Sequence, residues 1–190
     1  MPRPARISRT DVLDATLAIA DAGGLPAVTM RAVAKRLAVS PMALYHHVRD
    51  KDDLLDGLVE RLLAELPLPD PTLPPERRLH ALATGLRHTA ARHPDAFSLL
   101  LSRPVATEAA LAVRDVVYTA LRDAGVPDEL VPRIERLLST FVIGFAASEV
   151  GGRFAAHDQE VRDADFEWAW RQLAPGLERS TSLEPAERGS

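Results

Sequence analysis

Five of the nine residues from Pro67 to Pro75 are proline. A proline ring fixes φ, lacks an N–H and pushes the residue before it out of the helical region, so helix cannot run through this stretch and the backbone is held extended. Whatever the 190-residue chain builds is therefore built on two sides of a break. The sequence divides into residues 1–66, a proline-rich linker 67–75, a larger body 76–177, and a tail 178–190 rich in Ser, Glu and Arg that is expected to be mobile.

Alternation of period two is sustained nowhere, whereas apolar residues recur at spacings of three and four throughout, which predicts an all-helical chain. Before the break we expect helices over 9–22, 30–38, 41–48 and 51–66. Ser8 is placed to cap the first, Asp11 to complement its positive end, and Gly23 with Gly24 to stop it. Thr29 caps the second; Pro41 sits in the first turn of the third, where its missing N–H costs nothing. Leu55, Leu58, Val59, Leu62 and Leu66 form the stripe of the fourth. Beyond the break, helices are expected over 75–92, 95–101, 107–124, 127–151 and 163–173, separated at Pro94, Pro104, Gly125, Pro127 and Gly151 with Gly152. Pro132 makes the fourth of these either start late or bend.

Bulk composition excludes more than it selects. With no cysteine, disulfide frameworks, thiolate zinc sites and thiol nucleophiles are ruled out, and a reducing compartment is expected. The first residues carry no apolar core of signal-peptide length. The longest apolar run, 137–150, is shorter than the roughly 20 residues of a membrane helix and is interrupted by Ser139, Thr140 and Ser148, so no membrane partner is expected. The net charge of −4 hides an asymmetry: residues 29–49 hold Arg31, Lys35, Arg36 and Arg49 and no carboxylate.

That basic stretch coincides with two short helices joined by a break of two or three residues. So tight a turn makes the axes cross steeply and leaves the second helix protruding, a geometry that enters the major groove of a duplex. Leu44 and Val48 are its packing residues, leaving Pro41, Met42, Ala43, Tyr45, His46 and His47 outside. Met42 and Ala43 suit thymine methyl groups, while a tyrosine hydroxyl, an imidazole and Lys51 suit phosphate oxygens. Arg31, Arg36 and Lys51 also read as simple solvated charges.

The stretch VTMRAVAKRLAVSPMALYHHVRDK, residues 28–51, followed by DDLL, resembles the DNA-binding domain of the tetracycline-repressor (TetR) family, and the likeness extends over 7–66. The resemblance implies that Thr29 and Arg31 lie against the DNA backbone at the start of the second helix. It places Ser40, Pro41, Met42 and Ala43 toward bases, Tyr45, His47 and Lys51 on phosphates, and His46 beside them. Ala38 stands where the family often has Gly, so the turn must either avoid the left-handed conformation or tolerate its cost. The resemblance further implies a bacterial, cytoplasmic, nucleoid-associated homodimer that represses from a palindromic operator and is released by a small molecule, with no cofactor.

The remainder is less specific. Eight of the nine aromatic residues follow Pro94. Leu86, Phe97, Val117, Phe141 and Phe145 are candidates to line an apolar ligand site, although side chains of this kind more often fill a close-packed core. Glu149, on an otherwise apolar helix, needs a partner, either an arginine or a ligand amine. Gly144, Ala147, Ser148 and Gly151 make a small-residue ridge that, with Trp170 on the last helix, is the candidate dimer interface. His80, His88 and His93, spaced by eight and five, fall on different sides of their helix, so no metal site is expected. Ser98 and Ser102 lack a nucleophile elbow and no glycine-rich phosphate loop occurs, so no catalytic residues are assigned. The opposing reading is a helical ligand-binding protein or enzyme whose first helices are structural only; the carboxylate-free basic stretch argues against it.

Overall fold

A computed structural model describes residues 7–103 and 107–180, and all regular structure among them is helical. The elements are α1 (Arg9–Ala27), α2 (Met30–Arg36), α3 (Pro41–Leu44), α4 (Lys51–Ala64), α5 (Pro75–Arg92), α6 (Pro94–Phe97) with a 3₁₀ turn (Ser98–Leu101), α7 (Glu108–Asp123), α8 (Val131–Val150) and α9 (Gln159–Ser180). They form two compact units that are not contiguous in sequence. One comprises the described residues up to Leu66 together with His88–Leu111; the other comprises Pro67–Arg87 and the described residues from Ala112 on.

In the first unit α1 opens on a reciprocal cap: Ser8 Oγ accepts from the Asp11 N–H at 3.1 Å and the Asp11 carboxylate accepts from the Ser8 N–H at 2.8 Å. The Gly23-Gly24 stop is a kink rather than an end. Gly24 takes φ 72°, and a last turn follows to Ala27. In α4 the side chain fully buried is Leu54, with Leu58, Val59, Leu62 and Leu63; Leu55, placed in the stripe by spacing alone, is only half-buried. Gly57 explains the close approach of α1: a Cβ there would lie 2.2 Å from Leu13 Cδ2. Residues 88–111 belong to this unit because Ala96 and Phe97 are wholly buried in it, and because charged groups tie them down. His93 reaches Asp21 at 2.9 Å and Glu65 at 3.2 Å, while Arg103 reaches Asp56 at 2.6 Å and Asp52 at 2.9 Å.

The second unit is built around Leu79 and Ala83 of α5, Ala120 and Leu121 of α7, Ile134, Leu138 and Val142 of α8, and Phe166 and Trp170 of α9. Of the two expectations for Pro132, the late start holds: α8 begins at Val131. The last helix begins earlier than apolar spacing indicates, at Gln159, because the Asp158 carboxylate accepts from the Val161 N–H in its first turn. It continues through Pro175 to Ser180, so residues 178–180 of the expected tail are helical, and 181–190 lie outside the described residues. Glu149 finds an arginine. Arg87 grips it with two bonds of 2.8 and 2.7 Å, adds Asp163 at 3.0 Å, and stacks its guanidinium 4.4 Å from the Phe166 ring centre. Burial alone would lower the Arg87 pKa, but Glu149 and Asp163 outweigh it and raise it further above the ordinary range.

Candidate nucleic-acid interface

The interface is assembled from α2, α3 and the turn between them. Thr29 Oγ1 accepts from the Ala32 N–H at 3.1 Å and fixes the start of α2, whose Val33 and Ala34 are buried. The turn closes by main-chain bonds from Leu37 to Val33 (3.0 Å), Ala38 to Lys35 (3.2 Å) and Val39 to Ala34 (3.0 Å). Closing it so tightly puts Ala38 at φ 55°, so the left-handed conformation is tolerated rather than avoided. The third helix is shorter than its apolar spacing suggests, ending at Leu44 instead of Val48. The His47 and Val48 N–H groups both turn back to the Leu44 carbonyl, at 2.8 and 2.9 Å, while Leu44 and Val48 remain buried as anchors.

Everything else on this element faces outward. Met42 is 70% exposed and Tyr45 53%. Thr29, Arg31, Ser40, Pro41, His46 and Lys51 are also exposed, and Ala43 and His47 are half-buried. Ser40 stands at the N-cap of α3 without a capping bond from its side chain, which leaves its hydroxyl unengaged there. Among the described residues Arg31, Lys35, Arg36 and Lys51 have no carboxylate within ion-pair distance. Arg49 lies 3.4 Å from Asp53 with most of its side chain in solvent. All ten candidate DNA contacts therefore belong to one short stretch of the first unit, and eight are exposed outright.

Two residues that periodicity and motif did not single out hold this surface in place. Arg9 of α1 donates to the His47 carbonyl at 2.9 Å and to Asp53 at 3.3 Å, with Glu60 at 3.4 Å, so it pins the exit of α3 to α1 and α4. Asp53 also accepts from the Arg49 N–H at 2.9 Å. Burial works against the Asp53 charge, but the Arg49 N–H and the Arg9 charge outweigh it and hold its carboxyl below the usual range. Nothing local in the sequence marks Arg9, whose partners lie 38 to 51 residues away.

The other candidates divide. Leu86, Val117, Phe141 and Phe145 all pack, partly buried, against the core of the second unit, where Phe141 and Phe145 stand 5.6 Å apart. Phe97 is not with them; it is fully buried in the first unit. An open groove of about 450 Å³ in the second unit is lined by Leu73, Glu76, Arg77, His80, Ala81 and Trp170, and by none of the five. On α8, Gly144, Ala147 and Ser148 are half-buried and Gly151 at its end is exposed. Trp170 is only 8% exposed, packed beside Phe166 and His80 in its own core, so it offers no free face; among the described residues the exposed large apolar side chains of these helices are Leu137, Val161 and Trp168. Among the described residues no cluster of three potential metal ligands occurs and no helix is long and apolar enough to cross a membrane.

Comparison with known proteins agrees with this geometry. The model of the family described as bacterial regulatory proteins, tetR family, matches residues 12–58, and that of the tetracyclin repressor-like C-terminal domain matches 79–173. The chain is 33% identical over 183 residues to the HTH-type transcriptional repressor DrrR1 of Streptomyces coeruleorubidus, covering 94% of itself and 65% of that protein. An HTH-type transcriptional regulator of Saccharopolyspora erythraea is 33% identical over 181 residues, or 86% of this chain and 77% of the other. Among solved structures, a TetR variant from Acinetobacter baumannii AYE in complex with minocycline is 26% identical with a TM-score of 0.80, covering 93% of this chain and 99% of that one. BioQ with its natural double-stranded DNA operator is 26% identical, TM-score 0.75, over 93% and 99%. By its two matching regions, its relatives and its protruding α3, the chain belongs to the tetracycline-repressor family of helix-turn-helix transcriptional regulators.

Proposed function

We propose that this protein is a homodimeric repressor that binds a palindromic DNA operator through two copies of α3 and leaves it when a small molecule binds. The observation that carries the reading is the exposed α3 beside Arg31, Lys35, Arg36 and Lys51, four cations that pair with no carboxylate among the described residues. On a surface of this kind Thr29 and Arg31 hold the sugar–phosphate backbone, Ser40, Pro41, Met42 and Ala43 approach bases, and Tyr45, His47 and Lys51 take phosphates with His46 beside them. BioQ with its operator supports the assignment at the level of the family.

The dimer is assigned to α8 and α9. The small-residue ridge Gly144, Ala147, Ser148 and Gly151 permits close helix approach, and Leu137, Val161 and Trp168 supply exposed apolar area. Two-fold symmetry then sets the recognition helices about one duplex turn, ~34 Å, apart. The ligand is assigned to the aromatic region of the second unit holding Leu86, Val117, Phe141 and Phe145, a mostly apolar lining with few polar groups. The A. baumannii TetR variant with minocycline supports a ligand-responsive role. Such a ligand acts only through its differential affinity for the DNA-competent and incompetent states. The place of action is the bacterial cytoplasm at the nucleoid, and no catalytic reaction or cofactor is assigned.

The test is selection of duplexes from a random pool, followed by titration of the enriched duplex at several salt concentrations. A palindromic sequence whose affinity falls steeply with salt is the expected result. No enrichment, or binding indifferent to salt, would overturn the reading.

A further inference from the structure

The side chains that α3 presents are unusual for a surface meant to read sequence. Pro41, Met42 and Ala43 carry no side-chain hydrogen-bond donor or acceptor of the kind that pairs with base edges, the thioether of Met42 being at most a weak acceptor. Proline at the first position also removes a main-chain N–H from the helix start. Yet Met42 is the most exposed of the large apolar side chains in the described residues, at 70%. Leu44 and Val48, on the other side of the element, are at 0 and 2%, so Met42 is not a core residue that has slipped out. Of the surrounding polar groups, Tyr45, His47 and Lys51 are spent on phosphate in the reading above with His46 beside them, and of the four residues placed toward bases only Ser40 carries a side chain that hydrogen-bonds readily.

The major groove offers only one apolar feature to such a surface. Each base pair shows a pattern of donors and acceptors, and thymine alone adds a methyl group, at C5. We infer that Met42 and Ala43 read their operator through thymine 5-methyl groups, by burial of apolar area and not by hydrogen bonds to base edges. This rests on the DNA-binding reading of α3 and narrows it to a chemical class of target: half-sites with thymine, or another 5-methylpyrimidine, at the steps beneath Met42 and Ala43.

The inference is separable from DNA binding itself because uracil keeps every base-pairing group of thymine and lacks only the methyl. The selected duplex is rebuilt with deoxyuridine in place of each thymidine in turn, and affinities are measured for wild type and Met42→Ala. Burial of one methyl corresponds to about a fourfold change in affinity, so one or two positions per half-site should lose about fourfold, and about sixteenfold when both half-sites are changed together. Met42→Ala should bind the thymine and uracil duplexes alike at the step it faces, and 5-methylcytosine should exceed cytosine there. Binding that tolerates uracil everywhere within twofold overturns the inference and leaves the DNA-binding reading standing. Methyl sensitivity that persists unchanged in both Met42→Ala and Ala43→Gly overturns it too, and if no duplex is enriched both readings fall together.

Discussion

Lys51 is exposed, carries no ion pair among the described residues and begins α4 directly behind the protruding α3. A cation so placed contributes to binding through counterion release, which is blind to sequence. Lys51→Ala is therefore expected to weaken all duplexes about equally and to flatten the plot of log affinity against log salt by about 2 for a dimer, each phosphate contact being worth about 0.9. Ala38 tells a different story. Its left-handed backbone costs an L-residue about 1–2 kcal/mol, against about 0.4–1 kcal/mol of extra unfolded-state entropy for glycine, so Ala38→Gly should raise thermal stability modestly without changing DNA affinity. The sequence showed that the turn faced this choice, but not its outcome, because the three main-chain bonds that over-determine the turn are a property of the folded chain. Asp53 supplies the pH-dependent prediction. Its folded pKa lies below the ordinary 3.8, so its contribution to stability is present above that value and fades as pH falls through the depressed one. Asp53→Asn should be less stable than wild type in urea at pH 7, and the gap should close on acidification below pH 3.8. A gap constant with pH would assign the loss to shape alone.

At the scale of elements, what was legible followed from patterns within a few residues, and what was missed came from partners far along the chain. The caps at Ser8 and Thr29 and the demand of Glu149 for a counter-charge were readable, and Pro132 marked the start of α8 as irregular while leaving a late start and a bend both open. The phase of α4 was not: counting apolar residues names Leu55, whereas packing against α1 buries Leu54. Likewise residues 88–111 join the first unit through ion pairs to α1 and α4 that no linear division at the prolines anticipates. Gly57 shows how magnitudes decide at this scale. Alanine in mid-helix gains about 1 kcal/mol of propensity over glycine. Against that, its Cβ would sit 2.2 Å from Leu13 Cδ2, on a side chain only 2% exposed and so with little room to move, and overpacking of this kind costs about 1–3 kcal/mol. Gly57→Ala is expected to be a net destabilisation of up to about 2 kcal/mol by chemical unfolding, the overpacking outweighing the propensity. Adding Leu13→Ala should make the pair less than additive, since the second change vacates the space the first requires.

At the scale of the whole molecule the decisive question is whether α8 meets a second copy of itself, and Gly144 isolates it. Within the protomer a Cβ at Gly144 meets nothing within 4 Å among the described residues, so a larger side chain there starts into open space. Replacing a helical glycine by leucine should if anything strengthen α8, by up to about 1 kcal/mol of propensity. A protomer that stands alone would therefore keep or slightly raise its melting temperature on Gly144→Leu and bind DNA as before. In an isologous dimer the same residue approaches its own symmetry mate, so each inserted side chain is met twice and the small-residue ridge can no longer close. The expected outcome is a folded monomer by sedimentation at micromolar concentration, with full helical content. Its operator affinity should fall by about 10²–10⁴, the avidity lost when two half-sites are no longer engaged by linked recognition helices. Binding to an isolated half-site should be unchanged, because α2, α3 and the Arg9 anchor lie in the other compact unit. A Gly144→Leu protein that stays dimeric with wild-type operator affinity would place the interface elsewhere than on this ridge.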